Sequence, residues 1–192
     1  ITHYEYVVEY AGSDYFTNEV FSLTSEQQAL AEDYALNMQR FLYSNVYQIK
    51  PNWSLIPGDT GKIAVGYGIL MLDTPYSQER RNEEGYFDCS SFTYYVYGRL
   101  GIYLQFDGAN TAAAQGRYIV ENNLVVDITK LAPGDLIFYS YESNDRFLNI
   151  GHVAIYAGEG FVIDASYSQG KVVYRKIYDT DKIVLCGRPY TE

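Results

Sequence analysis

Two cysteines and two histidines are all that this chain of 192 residues contains of each, and that scarcity narrows its chemistry. Cys89 and Cys186 are too few for a disulfide scaffold, and a single Cys89–Cys186 bridge, the one pairing open, would consume both thiols. Neither His3 nor His152 stands near a cysteine cluster, which argues against a zinc site of the His/Cys type. No run of 18 apolar residues is present, so no segment reads as a membrane-spanning helix. Positive charge is also short. Fourteen Lys and Arg face 24 Asp and Glu, a net charge of −10, which argues against nucleic acid or an anionic membrane as partner and selects no particular substrate. Position 1 is Ile rather than Met, as expected of a processed or trimmed form that has lost a signal or anchor.

What is present is an ordinary globular composition, 47% hydrophobic and 20% charged, enough for one domain with or without an appendage. Tyrosine is abundant, at 22 residues, which suits half-buried strand faces and recognition surfaces. Residues 1 to 22 alternate with period 2 and read as extended, with Tyr4, Tyr6, Val8 and Tyr10 on one face. Thr24-Ser25-Glu26-Gln27-Gln28 reads as a helix start, followed by an apolar stripe of Leu30, Tyr34, Met38 and Phe41. The turn-rich stretch from Lys50 to Asp59 marks a boundary. Residues 1–58 are therefore expected to form an accessory region of unassigned role, and 59–192 the main domain.

The second part is organised around Gly85-Tyr86-Phe87-Asp88-Cys89-Ser90-Ser91-Phe92. Phe92, Val96 and Leu100 recur at helical spacing, so Cys89 falls at a helix N-terminus. There the unpaired backbone N–H groups and the helix dipole both favour a thiolate. A lone cysteine is more often a small buried side chain than a nucleophile, and Cys186, in the apolar Val184-Leu185-Cys186-Gly187, reads as one. Residues downstream tell for Cys89. A helix is expected from Ile63 to about Leu72, and another capped by Asn110 or Thr111. Gly58-Asp59-Thr60-Gly61-Lys62 lacks the spacing of a phosphate loop. After the turn at Leu131-Ala132-Pro133-Gly134-Asp135, strands are expected over 136–140, 151–157, 161–166, 171–177 and 182–187. Such short, closely spaced strands imply an antiparallel meander, and helices first with strands later imply an α+β fold.

His152, Ala154 and Tyr156 share one face of a strand that turns at Gly158-Glu159-Gly160, and Asp164 lies on the returning strand. Pairing 156 with 160 sets His152 opposite Asp164; pairing 157 with 161 makes them diagonal neighbours. Either register brings imidazole and carboxylate within reach on one face. A base next to a thiol, oriented by a third group, is what nucleophilic catalysis needs.

Together these pieces resemble the NlpC/P60 family of cysteine peptidases, which cut bacterial cell-wall peptides. The similarity rests on Asp73-Thr74-Pro75-Tyr76, Phe87-Asp88-Cys89-Ser90-Ser91, Thr111-Ala112-Ala113-Ala114-Gln115, Pro133-Gly134-Asp135-Leu136-Ile137-Phe138, Gly151-His152-Val153-Ala154-Ile155-Tyr156 and Ile163-Asp164-Ala165-Ser166, in the family's order. It implies a papain-like α+β fold, with Cys89 as nucleophile, His152 as base and Asp164 at the third polar position, where many members carry His. It also implies substrate contacts from Tyr76, Asp88 and Ser90, the last two holding the free amine of a short stem peptide. The bland alternative for Asp88 is a helix N-cap, and one side chain can serve both ends. Ser77-Gln78-Glu79-Arg80-Arg81 replaces the usual Trp-Gly-Gly stretch and is expected to border the cleft. The implied activity is a γ-D-glutamyl–diamino acid endopeptidase acting on peptidoglycan stem peptides, outside the cell or at its wall, with no metal or organic cofactor. An N-acetylmuramoyl amidase, an acyltransferase or a non-catalytic cell-wall binder are the alternatives on the same scaffold.

Overall fold

Asp88 starts the central helix. Its backbone is extended (φ −96°, ψ 178°) and its carboxylate accepts the Ser91 N–H at 2.6 Å, while the Ser91 hydroxyl accepts the Asp88 N–H at 2.9 Å. Both ends of this capping box satisfy donors that the first helical turn leaves orphaned. The computed structural model describes Thr24 and residues 60–190. The extended segment expected over 1–22, the body of the helix expected after Thr24 and the boundary expected near residues 50–59 lie outside the described residues.

Among the described residues, three α-helices precede a sheet: α1 (Thr60–Leu70), α2 (Cys89–Gly98) and α3 (Ala112–Glu121). Of the two caps open for α3, Thr111 is the one used, its hydroxyl accepting from Ala114 N–H. The strands are β1 (Leu136–Tyr139), β2 (His152–Gly158), β3 (Phe161–Ser166), β4 (Lys171–Lys176) and β5 (Ile183–Gly187). All neighbours are antiparallel, in the order β4-β3-β2-β1-β5. The expected meander holds for β1 to β4 only. The last strand returns to the far edge and pairs with β1, Ile137 opposite Cys186. Alternation along a strand tells which face is buried, not which neighbour it takes, so the sequence could not show this crossing.

The helices cover one face of the sheet. Phe92 and Val96 of α2 meet Phe138, Val153, Ile155, Ile163 and Val172 in one core cluster. Both Phe92 and Val96 are fully buried, and such a side chain contributes about 1.5–3 kcal/mol through its burial. Ile137, Tyr139, Ala154, Val162 and Cys186 form a second cluster on the opposite face. The turn before β1 meets the helices at Gly134, which has φ +92° and stands so close to Gly61 that a Cβ would lie 2.4 Å from the Gly61 Cα. Its carbonyl accepts the buried Tyr97 hydroxyl. Gly134→Ala combines a left-handed backbone with a backbone clash, and is expected to destabilise by at least about 2 kcal/mol. Urea unfolding would measure it, and a change below about 0.5 kcal/mol would contradict this account of the turn.

Candidate active site

Cys89 is the first residue of α2, so its backbone N–H has no carbonyl one turn earlier to bond. Its side chain is nearly covered, at 8% exposed. His152 opens β2, and α2 packs against β2 and β3, which leaves the imidazole near enough to Cys89 for the charge of that residue to act on it. The other side of the ring meets Asp164, with Nε2 2.9 Å from Oδ2. With Nε2 engaged there, Nδ1 is the nitrogen left for Cys89. The strand register that achieves this pairs Ile155 with Ile163 and Tyr156 with Val162, with a bulge before Gly158. Continued one step, it sets Asp164 opposite Ala154. Histidine and aspartate are therefore diagonal neighbours, the second of the two registers weighed from sequence.

Asp164 is fully buried and takes more partners than the histidine. Arg175 on β4 grips both oxygens, Nε to Oδ1 at 3.0 Å and Nη2 to Oδ2 at 2.7 Å, and the Tyr178 hydroxyl donates to Oδ2 at 3.2 Å. The guanidinium also lies 3.8 Å over the Tyr178 ring. Tyr178 stacks on Tyr139, and Tyr139 on Tyr141, with rings within 8° of parallel. Sequence reasoning missed Arg175 and Tyr178. Arg175 pairs with Val162, which puts it on the Asp164 face, and only that register reveals it.

Burial alone would raise the Asp164 carboxyl, but the hydrogen bonds and charges of His152 and Arg175 outweigh it and hold the group below its ordinary range. For His152, burial alone would lower the imidazole. The Cys89 charge, then the hydrogen bond to Asp164, overcome this and push it from 6.5 up to about 10. A histidine raised on folding adds stability that is fully present below its unfolded value and is lost as pH rises through its folded one. The melting temperature is accordingly expected to fall as pH is taken from 6.5 through about 10, with activity falling over the upper part of that window. Scanning calorimetry across this interval tests it. A level melting temperature throughout would contradict the imidazole's assigned environment.

The three residues expected to touch substrate lie around the same helix end. Tyr76 is pinned by a bridge to Phe87 and by its N–H to the Gly170 carbonyl at 2.8 Å. Burial, then the charges of Cys89 and Asp88, push its hydroxyl up to about 12, with Tyr167 adding to them and Arg81 opposing. It therefore stays a proton donor at neutral pH. Tyr167, 81% exposed, meets it edge-on at 5.7 Å. The Ser90 hydroxyl donates to Asp88 Oδ1 at 3.1 Å, turned to the cap. Asp88 is the N-cap, and it also pairs with Arg81 from the 77–85 loop, Nε to Oδ2 at 3.2 Å. Buried Gln115 ties α3 to this end of α2, donating from Nε2 to the Ser90 carbonyl at 2.7 Å and accepting from the Thr93 hydroxyl. Both cysteines are free, so the Cys89–Cys186 bridge is not formed. Burial pushes the Cys186 thiol up to about 12, in keeping with a packing role. Among the described residues, no group of three His, Cys, Asp or Glu side chains is placed to hold a metal ion, and no helix is long and apolar enough to cross a membrane.

Comparison with known proteins agrees with this architecture. The model of the NlpC/P60 family matches residues 73–182, a span that holds Tyr76, Asp88, Cys89, Ser90, His152 and Asp164. A probable endopeptidase p60 of Listeria grayi is 36% identical over 94 residues, 49% of this chain and 16% of that protein. A gamma-D-glutamyl-L-lysine dipeptidyl-peptidase of Bacillus cereus is 31% identical over 117 residues, 61% of this chain and 32% of the relative. Among solved structures, NlpC1 from Trichomonas vaginalis superposes with a TM-score of 0.62 at 26% identity, over 74% of this chain and 49% of that one. The chain thus spans less than a third of the length of these two curated relatives.

Proposed function

The chain belongs to the NlpC/P60 family, and from that membership we propose that it is a thiol hydrolase of peptidoglycan stem peptides, cutting the amide between γ-D-glutamate and the diamino acid. One observation carries the reading: a single imidazole bonded to the buried Asp164 carboxylate and under the charge of Cys89 at the helix start. The family relatives named as an endopeptidase and as a γ-D-glutamyl-L-lysine dipeptidyl-peptidase point to the bond.

In this reading the Cys89 thiolate attacks the γ-carbonyl carbon, and a C–S bond forms as the carbonyl becomes an oxyanion. The backbone N–H of Cys89, free at the helix start, is placed to receive that oxyanion. His152, carrying the thiol's proton, delivers it to the departing amine as the C–N bond breaks. Asp164 holds the ring's tautomer and tilt and stabilises its charged form. Water, deprotonated by His152, then hydrolyses the thioester and restores the thiol. Residues 59–192 constitute the catalytic domain and 1–58 an accessory region, and the enzyme works at the cell wall.

Mass spectrometry of products from purified muropeptides tests this. A new amino terminus on the diamino acid, with γ-D-glutamate ending the other fragment, is the expected result. A freed lactyl carboxyl on the sugar would identify an amidase instead. Muropeptides bound but left intact would identify a non-catalytic wall binder.

A further inference from the structure

Asp88 sits one residue before the nucleophile and is 4% exposed. A bare carboxylate there would draw a cationic group of the substrate, above all a free peptide amine. This carboxylate is not bare. Oδ1 accepts from Ser91 N–H and from the Ser90 hydroxyl, and Oδ2 faces the Arg81 guanidinium. Arg81 is itself anchored, with Nη2 donating to Asn110 Oδ1 at 2.8 Å. The loop that carries it is braced internally: Arg80 Nε donates to Glu83 at 2.8 Å, the Arg80 guanidinium lies 3.6 Å over Tyr86, and Glu83 N–H donates to the Arg80 carbonyl. Both Arg81 and Asp88 act on the Tyr76 hydroxyl, as does Cys89, so the pair belongs to the cleft's surroundings and not to a remote surface.

We propose that Arg81 is a specificity-determining residue that takes the place of a substrate ammonium on Asp88, so that the enzyme accepts stem peptides whose amino terminus is acylated, as it is while still attached to the sugar. The inference rests on the hydrolase reading above. Bringing a second cation to a buried carboxylate already paired with a guanidinium sets like charges side by side. A neutral acylamide meets no such repulsion, and the charge-based demand for a free terminus is gone. Arg81 does not touch the reacting atoms; it acts through Asp88.

The test compares L-Ala-γ-D-Glu-L-Lys with its N-acetyl form, in turnover by the intact chain and in binding to its Cys89→Ala variant. The unmutated protein is expected to cleave the acetylated peptide at least as well as the free one. Arg81→Gln, close in shape but uncharged, should shift the kcat/KM ratio toward the free peptide by tenfold or more, mostly through KM, and Arg81→Lys should largely restore the original ratio. Circular dichroism checks that both variants fold. A tenfold preference of the unmutated protein for the free amine, or a ratio that Arg81→Gln leaves unmoved, overturns the role of Arg81 while the hydrolase reading stands. Neither peptide cleaved by the unmutated protein nor bound by Cys89→Ala overturns both.

Discussion

Cys89→Ala is expected to reduce peptide release from peptidoglycan by at least about 10⁴-fold while the domain stays folded. The thiol is the nucleophile of the first step in the proposed reaction, and neither His152 nor Asp164 substitutes for it, because the sulfur forms the covalent intermediate. The structural cost is small: one sulfur atom is removed from a helix start whose cap, Asp88 on Ser91 N–H, does not use it. A second readout separates this from general damage. The Cys89 charge is the largest upward influence on His152, so its removal should move the imidazole's titration downward from about 10, as followed by NMR of the ring protons. Undiminished release by the alanine variant would remove Cys89 from the mechanism. Lost release with an unmoved histidine would mean the two side chains do not interact in solution.

Asp164 carries the second large effect, and two substitutions divide it. Asp164→Ala leaves His152, Arg175 and Tyr178 without their shared acceptor and strands a guanidinium whose side chain is only 28% exposed. Breaking one partner of such a pair costs about 3–5 kcal/mol, so this variant should unfold at clearly lower urea. Asp164→Asn keeps the volume and one acceptor oxygen but removes the charge. It should fold with a smaller loss, yet lower kcat by about 10²–10⁴-fold, because the amide no longer favours the charged imidazole or fixes one tautomer. The pH profile should change with it, since the hydrogen bond and charge of Asp164 both raise His152. If Asp164→Asn were as active as the unmutated protein, with an unchanged profile, the carboxylate would be a structural anchor for Arg175 and nothing more.

Much of this was legible in the chain before any coordinates. The spacing of Phe92, Val96 and Leu100 puts Cys89 at a helix start because helical period and capping chemistry are local. The alternation of 152–156 and 161–166 puts His152 and Asp164 on one face for either turn, because one face of a strand repeats every second residue. The α+β class and the NlpC/P60 resemblance follow from the same short stretches. Local rules stop where partners are distant in sequence. Whether the Asp88 cap is also paired with Arg81 depends on how the 77–85 loop folds back to the start of α2. That Arg175 shares Asp164 depends on the β3–β4 register, and that β5 closes beside β1 depends on which sheet edge is open once the helices have covered one face. Each of these is decided by through-space packing and charge pairing between segments the sequence keeps apart. The sequence could thus single out Cys89, His152 and Asp164 as candidates, while only the tertiary structure decided which charges surround them.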